Sequence, residues 1–347
     1  MTLLLTALLV ACDAPSTGPR TPVGVDLDAI FLPATAAEIA LIESEWSNRN
    51  PRAAGVVEQK SEVILMAGGF GTARVYSHLV DGHRHYGAVL VPLGAAPGSL
   101  PVVVFTHGGD TGVNVSEVAL TLLLLGDRAR DFAYVIPSFR SESLTLGGSV
   151  FRSEGLPSPW DRDVDDALAL LNVAIERTPE IDSSRIGVLG ASRGGMVGLL
   201  MAIRDPRIDL VSAIAGPTDF LGPWVRGLTR DALNGELRPL PGIRVLNDRF
   251  IQPLAAGSIT PGEYRRELVR RSPVLWADRL PPIQIHHGTA DDVVPVGQAE
   301  ALIAALGRLP RSGMDDDFHF YPGAGHNVLE LREVDARIIN FLQRLRR

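Results

Sequence analysis

The sequence predicts an α/β fold in which a mostly parallel central sheet is flanked by helices. Segments of strand length recur, as in the mainly apolar runs at 101–106 and 185–189 and in the buried-strand pattern at 282–287, and each leads into a polar or glycine-rich turn. Segments with apolar residues three and four positions apart, such as 161–177, indicate helices between them. Strands that alternate with helices are typical of a parallel sheet covered by helices.

The elements are predicted from these patterns in chain order. Helices are expected at 34–46, 161–177, 196–203 and 334–345, and strands at 62–66, 73–79, 87–91, 101–106, 185–189, 282–287 and 318–321. Between 217 and 280 the alternation breaks down into a stretch rich in arginine and proline. We expect this stretch to be a helical cap that filters substrates, in preference to an ordinary connecting helix pair.

Composition limits the possible functions. A chain of 347 residues with 46% hydrophobic residues can bury one large α/β core. Its formal charge of −7 gives no reason to expect a nucleic-acid partner. Lys60 is the only lysine and precedes the sheet, which argues against a serine–lysine dyad. His78, His83 and His85 flank Asp81-Gly82 and indicate a hairpin turn in preference to a zinc site, and we expect no metal and no organic cofactor.

A glycine-bracketed serine stands between a strand and a helix. The run Gly190-Ala191-Ser192-Arg193-Gly194 follows the strand at 185–189 and leads into the helix at 196–203. This is the pattern of a nucleophile elbow, a sharp turn in which only glycine fits two positions before and two after the serine. An ordinary glycine-rich turn has the same local sequence, so the assignment needs support from other residues.

An aspartate and a histidine follow Ser192 in the order that an α/β hydrolase requires. Asp291 lies just past the strand at 282–287, and His326 lies in the glycine-rich loop before the last helix. We assign Ser192 as the nucleophile, His326 as the base and acid, and Asp291 as the group that orients the imidazole. Asp292 stays an alternative for the last role because spacing does not distinguish adjacent loop residues.

Two backbone N–H groups are expected to form an oxyanion hole. One belongs to Arg193, directly after the nucleophile, and the other to Gly109, in the turn that follows the strand at 101–106. Glycines in this turn let the main chain approach a substrate carbonyl. For His107 in the same turn we expect a hydrogen bond within its own loop and no catalytic role.

Over roughly residues 61–347 the chain resembles the catalytic domain of the prolyl oligopeptidase family of serine peptidases. The most specific matches are the runs at 190–195 and 287–292. The resemblance implies an α/β hydrolase fold, a serine-type peptidase acting on short peptides, and the first aspartate of the second run, Asp291, as the triad member. The loop at 141–144 departs from the glycine-rich turn usual in the family. About fifty residues ahead of the first strand leave no room for the family's β-propeller, whose blades need about 40 residues each.

The substrate class stays open at this point. An ester hydrolase would use the same triad and oxyanion hole, because ester and amide cleavage both pass through a tetrahedral intermediate. The family resemblance favours a peptide substrate, whereas the missing propeller favours an ester. We therefore expect a peptidase, with a carboxylic or acetyl ester hydrolase as the alternative. A non-catalytic surface binding protein is a minor alternative, which the complete Ser, Asp and His set disfavours.

The N-terminus carries a separate signal. An apolar run at 3–10 is followed by the only cysteine, Cys12, and resembles a bacterial lipoprotein signal in which that cysteine becomes lipidated. The run is too short to span a bilayer and lacks a positive leading segment, which leaves a plain secreted protein or a misassigned start as alternatives. We expect an exported protein, lipid-anchored to a bacterial membrane in the periplasm or on the cell surface. The predicted parts are a signal at 1–12, a tether at 13–22, an extension at 23–60, and a hydrolase domain at 61–347.

Overall fold

The computed structural model describes residues 24–49, 51–311 and 313–346, so Cys12 and the predicted signal and tether lie outside the described residues. The strands are β1 (Ala54–Met66), β2 (Gly69–Val80), β3 (His83–Pro92), β4 (Leu100–Thr106), β5 (Val113–Asn114), β6 (Ala133–Pro137), β7 (Ser143–Leu146), β8 (Ser149–Arg152), β9 (Ile181–Ala191), β10 (Ile208–Ile214), β11 (Ile283–Gly288) and β12 (Asp317–Tyr321). The α-helices are α1 (Leu27–Ile30), α2 (Ala36–Ser47), α3 (Val115–Thr121), α4 (Arg162–Arg177), α5 (Arg193–Arg204), α6 (Pro223–Leu233), α7 (Ile243–Leu246), α8 (Gln252–Ala255), α9 (Pro261–Val269), α10 (Gly297–Leu306) and α11 (Val334–Leu342).

Within the described chain, nine strands form one sheet in the order β1-β2-β3-β6-β4-β9-β10-β11-β12. The neighbours from β6 to β12 run parallel, whereas β1, β2, β3 and β6 pair antiparallel. The predicted mostly parallel sheet is therefore confirmed. The carboxyl ends of its parallel strands all lie on the same side of the sheet, and the residues that follow β4, β9 and β11 meet there.

The sheet lies between two helical layers. Val102 and Val104 of β4 pack in one hydrophobic core with α4 and α5, and Val103 packs in a second core with α3 and α11. Because successive strand residues point to opposite faces, the two cores cover the two sides of the sheet. Strands β4, β6 and β11 are buried along almost their whole length, which is why β4 and β6 read as mostly apolar runs.

The first three strands extend further than their sequence patterns indicate. Val80 pairs with His83, and Asp81 and Gly82 both have positive φ, which is the two-residue turn predicted at this point. Strand β1 begins at Ala54, so the sheet starts inside the segment predicted as the extension. Most of the first half of β1 is exposed because β1 is the edge strand, and its residues therefore lack the apolar pattern of a buried strand.

The segment between β10 and β11 is helical, and the N-terminal helices pack against it. Arg265 of α9 donates hydrogen bonds to the backbone carbonyls of Ile30 (2.6 Å), Leu32 (2.7 Å) and Pro33 (2.8 Å), and it pairs with Glu38 of α2. The extension and the inserted segment thus form one layer beside the sheet. Among the helices of the described residues, none has both the length and the apolarity needed to cross a bilayer.

Candidate active site

Ser192 stands on the sharp turn between β9 and α5. Its φ of +53° is rare for a residue with a side chain, and its N–H donates a 2.8 Å hydrogen bond to the Ile214 carbonyl at the end of β10. A Cβ on Gly190 would overlap the Gly194 carbonyl, and a Cβ on Gly194 would overlap the Thr106 carbonyl. The two glycines are therefore required by the close approach of α5 to β4.

The structure brings Ser192, His326 and Asp291 together. The Ser192 hydroxyl lies 3.0 Å from His326 Nε2, and His326 Nδ1 lies 2.8 Å from Asp291 Oδ2. This is hydrogen-bonding distance at both steps, with the imidazole between a hydroxyl and a carboxylate. Asp292, the alternative partner, is exposed, whereas the side chain of Asp291 is fully buried.

Asp291 is held as a carboxylate by its neighbours. Its Oδ1 accepts hydrogen bonds from the N–H groups of Val293 (3.0 Å) and Val294 (2.8 Å), and its Oδ2 faces His326 and, at 3.4 Å, His287 Nε2. Burial alone would raise the pKa of Asp291, but these hydrogen bonds outweigh it and place the pKa below its usual range. The carboxylate is therefore charged and fixed in orientation at neutral pH.

His287 is a member of this environment that the sequence did not single out. Its ring is fully buried, and its Nε2–H donates to the Val294 carbonyl at 2.8 Å. The same contact ties β11 to the loop that carries Asp291. Two adjacent histidines at the end of a buried strand, His286 and His287, were the available signal, since buried histidines need hydrogen-bond partners.

The turn after β4 borders the same site. Gly109 has a φ of +73° and lines one pocket with Ser192. His107 Nδ1 donates to the Gly108 carbonyl at 2.9 Å, which confirms the expected hydrogen bond within its own loop. The N–H of Arg193 belongs to the first turn of α5, where helix N–H groups have no partner inside the helix.

The Arg193 side chain is buried beside the site. It is 2% exposed and contacts Asp163, Glu142 and the Gly109 carbonyl. Glu142 comes from the loop at 141–144, where the chain departs from the peptidase family's usual turn. Burial raises the pKa of Glu142 to about 7, although Arg193 acts in the opposite direction. Sequence reasoning assigned only the backbone of Arg193 and missed its side chain.

Ser192 opens on two adjoining cavities. The larger has a volume of about 530 Å³ and is lined by Gly109, Ala191, Ser192, Ile214, Ala215, Pro239, Leu240, Pro241, Val293, His326, Asn327 and Val328. The smaller, of about 20 Å³, is bounded by Trp160, Trp224, Leu240 and Ile243 among others. Leu240 and Pro241 line both cavities, so the inserted segment forms part of the site. His326 is the one titratable residue among the described residues that line the larger cavity.

Within 24–49, 51–311 and 313–346, no three His, Cys, Asp or Glu side chains are grouped in a way that could hold a metal ion. His78 and His85 lie on neighbouring strands with their rings 6.2 Å apart, and both are buried. Burial lowers the pKa of His78 to about 4 and that of His85 to about 3, so both rings are neutral at pH 7.

The sharp turn at Ser192, the chain order Ser, Asp, His and the mostly parallel sheet are together the features of an α/β hydrolase. The chain belongs to the alpha/beta hydrolase family, whose model matches residues 103–337. It is accordingly a hydrolase.

Both peptidases and esterases occur among similar proteins. The chain is 27% identical over 178 residues to the Bacillus subtilis protein named "Uncharacterized peptidase YuxL", covering 51% of this chain and 24% of that one. It is 32% identical over 155 residues to the Arthroderma benhamiae protein named "Probable 1-alkyl-2-acetylglycerophosphocholine esterase", covering 41% and 36%. The chain therefore spans a quarter to about a third of the length of these curated relatives.

Solved structures show the same division. Acetyl xylan esterase 1 from a Thermoanaerobacterium species superposes with a TM-score of 0.65 at 19% identity, covering 92% of this chain and 99% of that chain. A puromycin-hydrolyzing peptidase from Mycobacterium tuberculosis superposes with a TM-score of 0.54 at 18% identity, covering 82% and 45%. At these identities the likeness shows the fold alone.

Proposed function

We propose that the protein is a serine hydrolase that cleaves esters of small, uncharged acyl groups through an acyl-enzyme. The observation that carries the proposal is the hydrogen-bonded series Asp291–His326–Ser192 at the mouth of an apolar cavity. An apolar lining accepts an uncharged acyl group and offers no partner to a charged one.

The proposed reaction has two halves. Ser192 Oγ attacks the ester carbonyl while its proton moves to His326 Nε2, and the C–O bond to the alcohol then breaks as His326 returns the proton to the departing oxygen. A water molecule then loses a proton to His326 and attacks the acyl-enzyme, which releases the carboxylic acid and restores Ser192. Asp291 keeps the imidazole oriented and stabilises its charged form in both halves.

The tetrahedral intermediates require donors for their negative oxygen. The N–H of Arg193 lies directly behind Ser192, and the N–H of Gly109 belongs to the turn that lines the same cavity. We propose these two groups as the oxyanion hole. Backbone donors fixed before the reaction lower the barrier because they need no reorganisation as the charge develops.

The smaller cavity supports a small acyl group. It leaves room for little more than one water-sized group beside Ser192 and is closed by the Trp160 and Trp224 rings. A methyl group fits such a space, whereas a longer chain would have to displace an aromatic ring. We therefore propose acetyl esters as the preferred class, with the alcohol portion in the larger cavity.

A serine-type peptidase acting on short peptides is the second candidate. It is favoured by the resemblance to the prolyl oligopeptidase family over roughly residues 61–347 and by the 27% identity to a peptidase over 178 residues. The same residues would carry out both reactions, since an amide differs from an ester in the leaving group.

The test compares p-nitrophenyl acetate, p-nitrophenyl octanoate and peptide p-nitroanilides as substrates of the full chain, with Ser192→Ala alongside. Serine-dependent cleavage of the acetate ahead of the octanoate, without anilide cleavage, is the expected result. Serine-dependent anilide cleavage would establish the peptidase instead. Ester turnover that survives Ser192→Ala would overturn the site assignment, and the absence of any turnover would favour a binding protein.

Export with lipid attachment at Cys12 is a separate proposal that is supported by the apolar run at 3–10 ahead of the only cysteine. Expression in a bacterial host with radiolabelled palmitate should label the wild type and leave Cys12→Ala unlabelled. Equal labelling of both chains would contradict it.

A further inference from the structure

The side chain of Arg193 connects the helix behind the nucleophile to the turn after β4. We propose that it is a positioning residue, which holds the Gly108-Gly109 turn so that the Gly109 N–H faces the developing oxyanion. The inference rests on the proposed function, because it concerns the oxyanion hole of the same site. It adds a second role to a residue whose backbone alone was assigned.

The Arg193 guanidinium is fixed from two sides. Its Nε and Nη2 donate to the two carboxylate oxygens of Asp163 at 2.7 and 2.8 Å, and its Nη1 donates to Glu142 at 2.5 Å. Asp163 is itself fixed, since it is fully buried and accepts the Trp160 N–H at 2.8 Å. A paired fork of this kind determines the plane of the guanidinium as well as its position.

The remaining contact of this group reaches the turn. Nη1 also donates to the Gly109 carbonyl at 3.0 Å, and His107 Nδ1 donates to the Gly108 carbonyl at 2.9 Å. The two peptide units on either side of Gly109 are thus each held by one side chain. In a trans peptide the carbonyl and the N–H point in opposite directions. The bond from His107 to the Gly108 carbonyl therefore turns the Gly109 N–H away from the ring.

Both holding side chains rest on one aromatic ring. The Arg193 guanidinium lies 4.8 Å from the centroid of Phe139, and the His107 ring stacks on the same residue at 4.5 Å. Phe139 is fully buried. Phe139 therefore packs against both side chains that hold the turn. A displacement of Arg193 would change this packing and so affect both peptide units that flank Gly109.

The need for this support follows from the backbone of the turn. Gly109 has a φ of +73° and nothing lies within 4 Å of a Cβ position, so no side-chain packing at this residue fixes its backbone. A glycine backbone has access to several conformations, and we expect only one of them to direct the N–H to the oxyanion. A buried ion pair is by itself weak evidence for a contribution to stability. The ion pairs of Arg193 differ because the same guanidinium also donates a hydrogen bond to the Gly109 carbonyl in the site.

The experiment uses Arg193→Lys in the full chain. Lysine keeps the positive charge between Asp163 and Glu142 but lacks the planar fork that reaches the Gly109 carbonyl. We expect kcat for p-nitrophenyl acetate to fall about 10- to 100-fold with KM nearly unchanged. The rate at which a fluorophosphonate labels Ser192 should fall in parallel, because that reaction also forms a charged oxygen in the hole.

Arg204→Lys is the matched control. Arg204 lies at the other end of α5, where its side chain is 6% exposed and pairs with Asp165. A merely structural role for Arg193 predicts that both lysine variants lower the melting temperature and leave the activity per folded molecule alike. The proposal predicts that Arg193→Lys alone loses kcat and labelling rate.

Two results would overturn the inference. One is a folded Arg193→Lys protein whose kcat and labelling rate stay within about twofold of wild type. If Arg193→Lys does not fold, Phe139→Leu is measured instead, because this change removes the ring beneath Arg193 and His107 and leaves both ion pairs of Arg193 in place. The second overturning result is a Phe139→Leu protein whose kcat and labelling rate are unchanged. A wild type that is labelled at Ser192 but cleaves no ester would refute the proposed substrate class, while the labelling rates would still test Arg193.

Discussion

Trp46 and Trp276 pack with their ring centroids 4.6 Å apart, and this contact joins α2 to the segment inserted between β10 and β11. The Trp276 indole N–H also donates a hydrogen bond to the carboxylate of Glu43 on α2, at 2.8 Å. The N-terminal helix is therefore part of the folded unit that includes the inserted segment.

Trp46→Ala should lower the free energy of unfolding by about 3–5 kcal/mol, because it removes a large side chain that is 8% exposed and leaves a cavity against Trp276. Urea denaturation measures the change. Leu41→Ala on the same helix is the control, since Leu41 is exposed and its removal should cost less than about 0.5 kcal/mol. Equal effects of the two variants would show that α2 does not depend on this contact.

Asp291→Asn should lower kcat by roughly 10⁴-fold while Asp292→Asn leaves it nearly unchanged. The Val293 and Val294 N–H groups would retain the oxygen of the new amide, so its NH₂ group would face His326 Nδ1. A donor there favours the tautomer with its proton on Nε2, which cannot accept the proton of Ser192. Steady-state kinetics on p-nitrophenyl acetate decide the matter, and a larger loss in Asp292→Asn would reassign the triad.

Trp224→Leu should shift acyl preference towards longer chains. The change enlarges the smaller cavity beside Ser192, so kcat/KM for the butyrate ester relative to the acetate should rise by at least about tenfold. Leu237→Ala serves as the control, because Leu237 is exposed in the same inserted segment. An unchanged butyrate-to-acetate ratio in Trp224→Leu would mean that this cavity does not receive the acyl group.

The free energy of unfolding of Glu142→Gln relative to that of wild type should increase as the pH rises. Burial raises the pKa of Glu142 from 4.5 to about 7 in the folded chain, so the unfolded chain releases this proton first. Between about pH 4.5 and 7 each increase in pH therefore lowers the stability of wild type, by about 3 kcal/mol across the window. Glutamine has no proton to release.

Urea denaturation of wild type and Glu142→Gln at several pH values measures this difference. It should grow through the window and level off above pH 7. The exposed Glu236→Gln is the charge-matched control and should show no such trend. A difference that is constant with pH would mean that Glu142 stays ionised beside Arg193 throughout.

The sequence indicates the elements whose requirements are local. The glycines around Ser192 are dictated by the turn itself, and buried parallel strands such as β4 and β6 are mostly apolar along their length. Ser192, Asp291 and His326 each stand in the loop after a predicted strand, β9, β11 and β12 respectively. These features could be predicted because each depends on residues close together in the chain.

Features that depend on distant residues could not be predicted in this way. Arg193 meets partners 30 and 51 positions away, Asp163 and Glu142, and nothing in its own neighbourhood indicates that its side chain is buried. Strand β1 pairs at one edge only, so its exposed half lacks an apolar pattern. Both are decided by the tertiary arrangement.

The close packing of Gly190 and Gly194 against β4 also constrains how the sequence of this protein can evolve. A side chain at either glycine would overlap backbone atoms and disrupt the turn. By contrast, Leu240, Pro241 and Trp224 border the cavities from a separate segment of the chain. Mutations that alter what is cleaved can therefore accumulate independently of those that would alter how it is cleaved. A lineage that carries this fold can acquire new substrates while its reaction chemistry stays the same.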